Sequence, residues 1–189
     1  MSVKEYPVKI HLKSKISSLL FDDTTRPLVV EDEDGELALV GNTPAVADTV
    51  SEEAECDIIE AVTDGVLSVE GDSFTVSYTE SEESGMGGST TKICFERELP
   101  EVITMVRCGQ VSSAMLFDPS DARRICTYDT GIMPIELAVN TKRVKNSITE
   151  RGGDVLLEYT VEMRGMQTQR TLMEFSVVRD KRQPAEALS

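Results

Sequence analysis

From about Ile58 to Val178, apolar and polar residues alternate in short runs, and a Gly, Pro or Asp turn signal interrupts each run. A period of two places successive side chains on opposite faces of an extended chain, so the pattern predicts an antiparallel β-meander. In the cleanest run Phe74, Val76 and Tyr78 share one face while Thr75, Ser77 and Thr79 share the other. The next residue in the apolar phase is Glu80, which predicts a carboxylate pointing into the core. Further inward phases are Ile103 and Met105; Val111, Met115 and Phe117; Met133, Ile135, Leu137 and Val139; Val155, Leu157, Tyr159, Val161 and Met163; and Met173, Phe175 and Val177.

An earlier strand is predicted over Pro7 to Ile16, with Val8, Ile10, Leu12 and Ile16 inward and Lys9, His11, Lys13 and Lys15 facing solvent. Turns are expected at Asp64-Gly65, Gly71-Asp72, Gly85 to Gly88, Leu99-Pro100, Gly109, Asp118-Pro119, Gly131, Gly152-Gly153 and Gly165. Such short links pair each strand with its sequence neighbour. A meander of about eight to ten strands removes its unpaired edges by curling into a closed barrel, and about eight strands leave an interior that side chains fill or one small ligand occupies.

Residues 18–56 break this rhythm. Leu28-Val29-Val30 and Leu37 to Val40 flank the acidic run Glu31 to Gly35, and Asp34-Gly35 is a hairpin-turn signal. Thr43 followed by Pro44 can start a helix running to Glu55, but irregular apolar spacing leaves a disordered stretch as the alternative. The expectation is one domain over residues 1–189, with an acidic insertion at 18–56 and a flexible tail at 179–189.

Charge sharpens this picture. Between Asp22 and Glu60 thirteen carboxylates stand against one base, Arg26, and this segment holds most of the net charge of -15. No basic stripe compensates, so nucleic acid is excluded as a partner. The apolar runs fall well short of the roughly 20 residues that span a bilayer, and the amino terminus lacks the apolar stretch of a secretory signal. Cys56, Cys94, Cys108 and Cys126 form no C-x-x-C pair, and His11 is the one histidine. No metal site or cofactor is expected; reduced structural thiols in a cytosolic protein are.

Five segments, read together, carry a resemblance: Glu60 to Gly65, Val76 to Glu80, Met105 to Gly109, Tyr128 to Gly131 and Gly153 to Tyr159. In order and spacing they resemble the YwiB-like family of uncharacterised bacterial proteins, over residues 7–17 and about 57–178. That resemblance implies a calycin-like, lipocalin-related barrel, and it supplies no activity. The insertion at 18–56 departs from the shorter family pattern.

Chemistry concentrates on two charges in apolar phases, Glu80 after Tyr78 and Arg107 after Met105. Unpaired, either would cost several kcal/mol inside a core, so each needs the other or another polar partner. Tyr128, Thr130, Thr141 and Tyr159 are the hydrogen-bonding candidates on the remaining strands. Two readings follow: a polar plug closing one barrel end, or anchors for a small anionic or polar ligand. Catalysis is not expected, because no second inward carboxylate accompanies Glu80 and no nucleophile motif is present. The run Gly85 to Lys92 lacks phosphate-loop spacing, and Asp32 to Gly35 lacks that of an EF-hand. The function expected is a non-enzymatic barrel that binds a small molecule. The alternative is a packed scaffold whose acidic insertion docks a protein partner or whose surface meets a second copy.

Overall fold

Alternation becomes a sheet because each inward side chain meets those of neighbouring strands in register, burying apolar area at roughly 25 cal/mol per Å². The structure, a computed structural model, describes residues 2–18, 28–31, 37–40, 56–84, 86–164, 166–180 and 186–188. The strands are β1 (Val3–Ser18), β2 (Leu28–Glu31), β3 (Leu37–Val40), β4 (Cys56–Glu70), β5 (Ser73–Thr79), β6 (Thr90–Glu96) and β7 (Leu99–Cys108). They continue with β8 (Ser112–Phe117), β9 (Arg123–Asp129), β10 (Pro134–Asn146), β11 (Gly152–Met163), β12 (Met166–Arg179) and β13 (Glu186–Leu188).

Strands β4 to β12 pair antiparallel in sequence order, and β1 closes the ring between β4 and β12. The result is a closed ten-stranded meander barrel, as the alternation predicts. Beyond the end of β12, Glu186–Leu188 continues along the same edge of β1, pairing with Val3, Lys4 and Glu5. Strands β2 and β3 form a separate two-stranded sheet from Leu28↔Val40 to Glu31↔Leu37, which agrees with the expected hairpin. Its expected turn at Asp34-Gly35 and the candidate helix from Thr43 to Glu55 lie outside the described residues.

The core follows the inward phases: Ile10, Leu67, Phe74, Val76, Ile93, Ile103, Met105, Phe117, Val139, Leu157 and Phe175 are all buried. Phe74 stacks on Phe95 with ring centroids 5.1 Å apart. Phe117 tilts against Tyr159 at 4.9 Å, and Tyr78 against Phe175 at 5.8 Å.

Several details differ from expectation. Asp64-Gly65 is no turn but the middle of β4. A Cβ on Gly65 would stand 2.4 Å from Ile10 Cδ1 and 2.7 Å from the Ser77 carbonyl oxygen, so glycine serves here for close packing between β1 and β5. The turn expected at Leu99-Pro100 falls at Arg97 and Glu98, and Leu99 opens β7. Met133, in the β9–β10 turn, is exposed at 61% rather than inward, whereas Met163, though 40% exposed, keeps the inward phase at the rim of the barrel.

Candidate functional site

At one end of the barrel the last residues of β1, β5, β7, β9 and β11 meet the first residues of β4, β6, β8, β10 and β12. Here a transverse row of direct cross-strand partners runs Tyr78↔Thr91↔Arg107↔Ser113↔Tyr128↔Ile135. Partners in register on adjacent strands project to the same face, so the row lies against the barrel interior. Glu80 stands two residues beyond Tyr78, just past the end of β5, and its backbone N–H donates to the Ser89 carbonyl at 2.8 Å.

Thr91 bridges the two charges. Its hydroxyl donates to Glu80 Oε1 at 2.6 Å and accepts from Arg107 Nε at 3.1 Å. Arg107 Nη2 donates to the same Glu80 oxygen at 3.3 Å and approaches Met105 Sδ at 3.8 Å. The side chains of Arg107 and Glu80 are 7% and 5% exposed, so the pair is buried. The pairing is nonetheless incomplete. Glu80 Oε1 takes both donors, whereas Oε2 accepts none and Arg107 Nη1 donates none among the described residues.

Two further polar groups of the row are buried without a hydrogen-bond partner, Tyr78 Oη and Ser113 Oγ. Burial, with the negative charge of Glu80 adding to it, pushes the Tyr78 phenol well above its ordinary pKa. Burial also raises the pKa of Tyr159. Both phenols are therefore neutral and able to donate.

Tyr78, Glu80, Arg107 and Tyr159 border a cavity of about 490 Å³ at this end of the barrel. Its apolar walls include Leu12, Ile59, Met86, Met115, Leu137, Val161 and Met173; its polar lining includes Tyr78, Glu80, Arg107, Tyr128, Tyr159 and Thr171. This size and composition suit a small ligand. The sequence-derived site thus comes together in four of its six members: Glu80, Arg107, Tyr128 and Tyr159.

Thr130 and Thr141 are not brought to the cavity. Thr130 lies in the β9–β10 turn, where its hydroxyl donates to the Met133 carbonyl at 3.5 Å. Thr141 is buried, but its groups are spent on the β8–β9 connection: Oγ1 accepts from the Asp118 N–H at 3.3 Å and its own N–H donates to the Ala122 carbonyl at 2.8 Å. Thr91, which bridges the charged pair, and Tyr78, which lines the cavity, are site residues that sequence reasoning missed. Thr91 carried a legible signal, being in phase with Ile93 and Phe95 as Glu80 is with Tyr78.

A second concavity, of about 810 Å³, lies on the outer face of β1, β4, β10, β11 and β12 and includes His11, Lys13, Glu60, Asp154 and Glu174. Lys13 is already paired there with Glu60 at 2.6 Å, and both side chains are more than half exposed. That pair is satisfied and solvated, whereas the pair at the barrel end is buried and lies beside the unpartnered Tyr78 hydroxyl.

Among the described residues no helix is long and apolar enough to cross a membrane. Comparison with curated proteins gives no match. Among solved structures, the crystal structure of the ywiB protein from Bacillus subtilis is similar, with a TM-score of 0.59 and 19% identity over 91% of this chain and 92% of that one. At that identity the likeness bears on the fold alone. The family model described as a domain of unknown function, DUF1934, matches residues 45–175, well over half of the chain, and the chain belongs to that family.

Proposed function

We propose that this protein is a non-enzymatic, calycin-like binder that holds a small polar ligand in the open end of its barrel, acting in the cytosol. The observation that carries this reading is the half-satisfied Glu80–Arg107 pair facing a cavity of about 490 Å³. A structural plug would be expected to saturate its hydrogen bonds, because a buried polar group without a partner costs about 1–3 kcal/mol. Here the Tyr78 phenol lines the cavity and is buried without one, and Glu80 Oε2 and Arg107 Nη1 face the same cavity with no hydrogen bond among the described residues. Binding fits better than catalysis, since among the described residues Glu80 is the one carboxylate lining the cavity and it is held by Arg107. The same cavity weighs against a solidly packed scaffold.

Native mass spectrometry of the protein purified gently from its own cells, compared with its denatured mass, tests this reading. A reproducible small adduct that is lost on denaturation, and is missing from a folded Arg107→Leu variant, is the expected result. A bare subunit at every preparation would overturn it.

A further inference from the structure

We infer that the head of the ligand is uncharged and carries a hydrogen-bond donor beside an acceptor, as a primary carboxamide does, on an apolar body; this rests on the cavity being the binding site proposed above. Among the described residues the charged pair in the lining leaves one of its acceptors, Glu80 Oε2, and one of its cationic donors, Arg107 Nη1, without a hydrogen bond, and its charges cancel. A carboxylate drawn to Arg107 meets Glu80 at short range, and an ammonium drawn to Glu80 meets Arg107. In a site shielded from solvent such like-charge contact outweighs the one new ion pair. A zwitterion escapes the repulsion but must shed the hydration of two charges among walls such as Leu12, Ile59, Met115 and Met173. A carboxamide gives its N–H to Glu80 and receives from Arg107 through its carbonyl, with no ionic hydration to lose. The Tyr78 hydroxyl, buried and unpartnered beside them, can give the carbonyl a second donor.

The test uses the full chain and four probes with similar eight-carbon bodies: octanamide, octanoate, octylammonium and zwitterionic 2-aminooctanoic acid, titrated by calorimetry at neutral pH. Octanamide is expected to bind at least about tenfold more tightly than any charged probe, since hydrogen bonds to charged groups set that scale of discrimination. A companion titration uses Leu137→Trp, which fills the cavity from the β10 wall and should abolish binding; Val161→Phe replaces it if circular dichroism shows that the tryptophan variant is unfolded. Should a charged probe equal or exceed the amide while the filled variant still abolishes binding, the neutral head is wrong and the cavity reading stands. Should none of the probes bind, or should binding survive in the filled variant, both fall.

Discussion

The two ends of this barrel are built from the same ten strands with the same alternation, yet they bury opposite things. At the closed end, inward positions are taken by aromatic rings, with Phe74 stacked on Phe95, and cations are kept outside as lids. The Arg97 guanidinium lies 5.0 Å from the centroid of Phe74 and bonds Asp72 at 3.0 Å. Arg179 covers Tyr6 at 3.9 Å. At the open end the corresponding positions hold Glu80, Thr91, Arg107 and Ser113, and the space above them is not filled. The contrast teaches that alternation fixes the barrel wall, whereas side-chain volume and polarity in the end rows decide whether the interior is core or site. Cation–π lids also leave the arginines partly hydrated, so the closed end avoids the desolvation cost that the open end carries.

Substitutions should separate the ends. Phe74→Ala removes a fully buried ring from the packed end, and chemical denaturation should show a loss of about 3–5 kcal/mol. Ligand capture should be unchanged in whatever fraction remains folded. An equal loss of capture would mean that the two ends are not independent.

Arg107→Leu strands the Glu80 carboxylate in the interior, with an expected cost of about 3 kcal/mol or somewhat more. The double variant Glu80→Leu with Arg107→Leu should recover most of that, because it exchanges the pair for apolar surface rather than leaving one charge alone. Urea melts of the two singles and the double supply the cycle. Additive losses would show that the pair is not coupled, against the geometry through Thr91. Both leucine variants should lose the ligand, and it is this combination of restored stability with absent binding that the closed end cannot imitate.

Much of this division was legible in the letters. Period two placed Phe74, Val76 and Tyr78 inward and then delivered Glu80 to the same face, and Arg107 followed Met105 by the same rule. Their meeting depends on the register across residues 80–89, which the sequence left loose and the Glu80–Ser89 backbone bond fixes. Asp64-Gly65 misled because a turn dipeptide and a strand glycine needed for close packing are spelled alike. Thr141 misled because an inward phase does not reveal a nearby loop that claims the hydroxyl. Tyr78 was hidden for the reverse reason: an aromatic residue in phase reads as core, and nothing in the letters reports an unpartnered hydroxyl. The cavity itself is a property of ten strands at their actual separations, so no local pattern encodes it.

On the outer wall a carboxylate held between two half-exposed arginines serves as a control. Glu158 sits between Arg143 and Arg170, and hydrogen bonding to Arg170 is the leading cause of its lowered pKa. With the folded value below the unfolded one, this group stabilises the protein above the ordinary carboxylate range, and the contribution fades as pH falls through the folded pKa. Glu158→Gln should therefore flatten the acid limb of a stability-against-pH curve. Solvent screening keeps the effect below about 1 kcal/mol. Ligand capture at neutral pH should not move.

The smallest expected change in stability is the most informative about the open end. Tyr78→Phe deletes a buried hydroxyl that has no partner while keeping the ring against Phe175. In the unliganded protein, removing an unsatisfied polar group should be neutral or stabilising by up to about 1 kcal/mol. If the hydroxyl is held in reserve for a ligand, the same variant should weaken binding by about fivefold or more, reversing the sign of the effect between free and bound protein. A thermal melt with and without ligand reads both signs at once. A variant that melts higher and binds as well as the parent would mark the Tyr78 hydroxyl as a packing accident, and would leave Glu80 and Arg107 to orient the ligand alone.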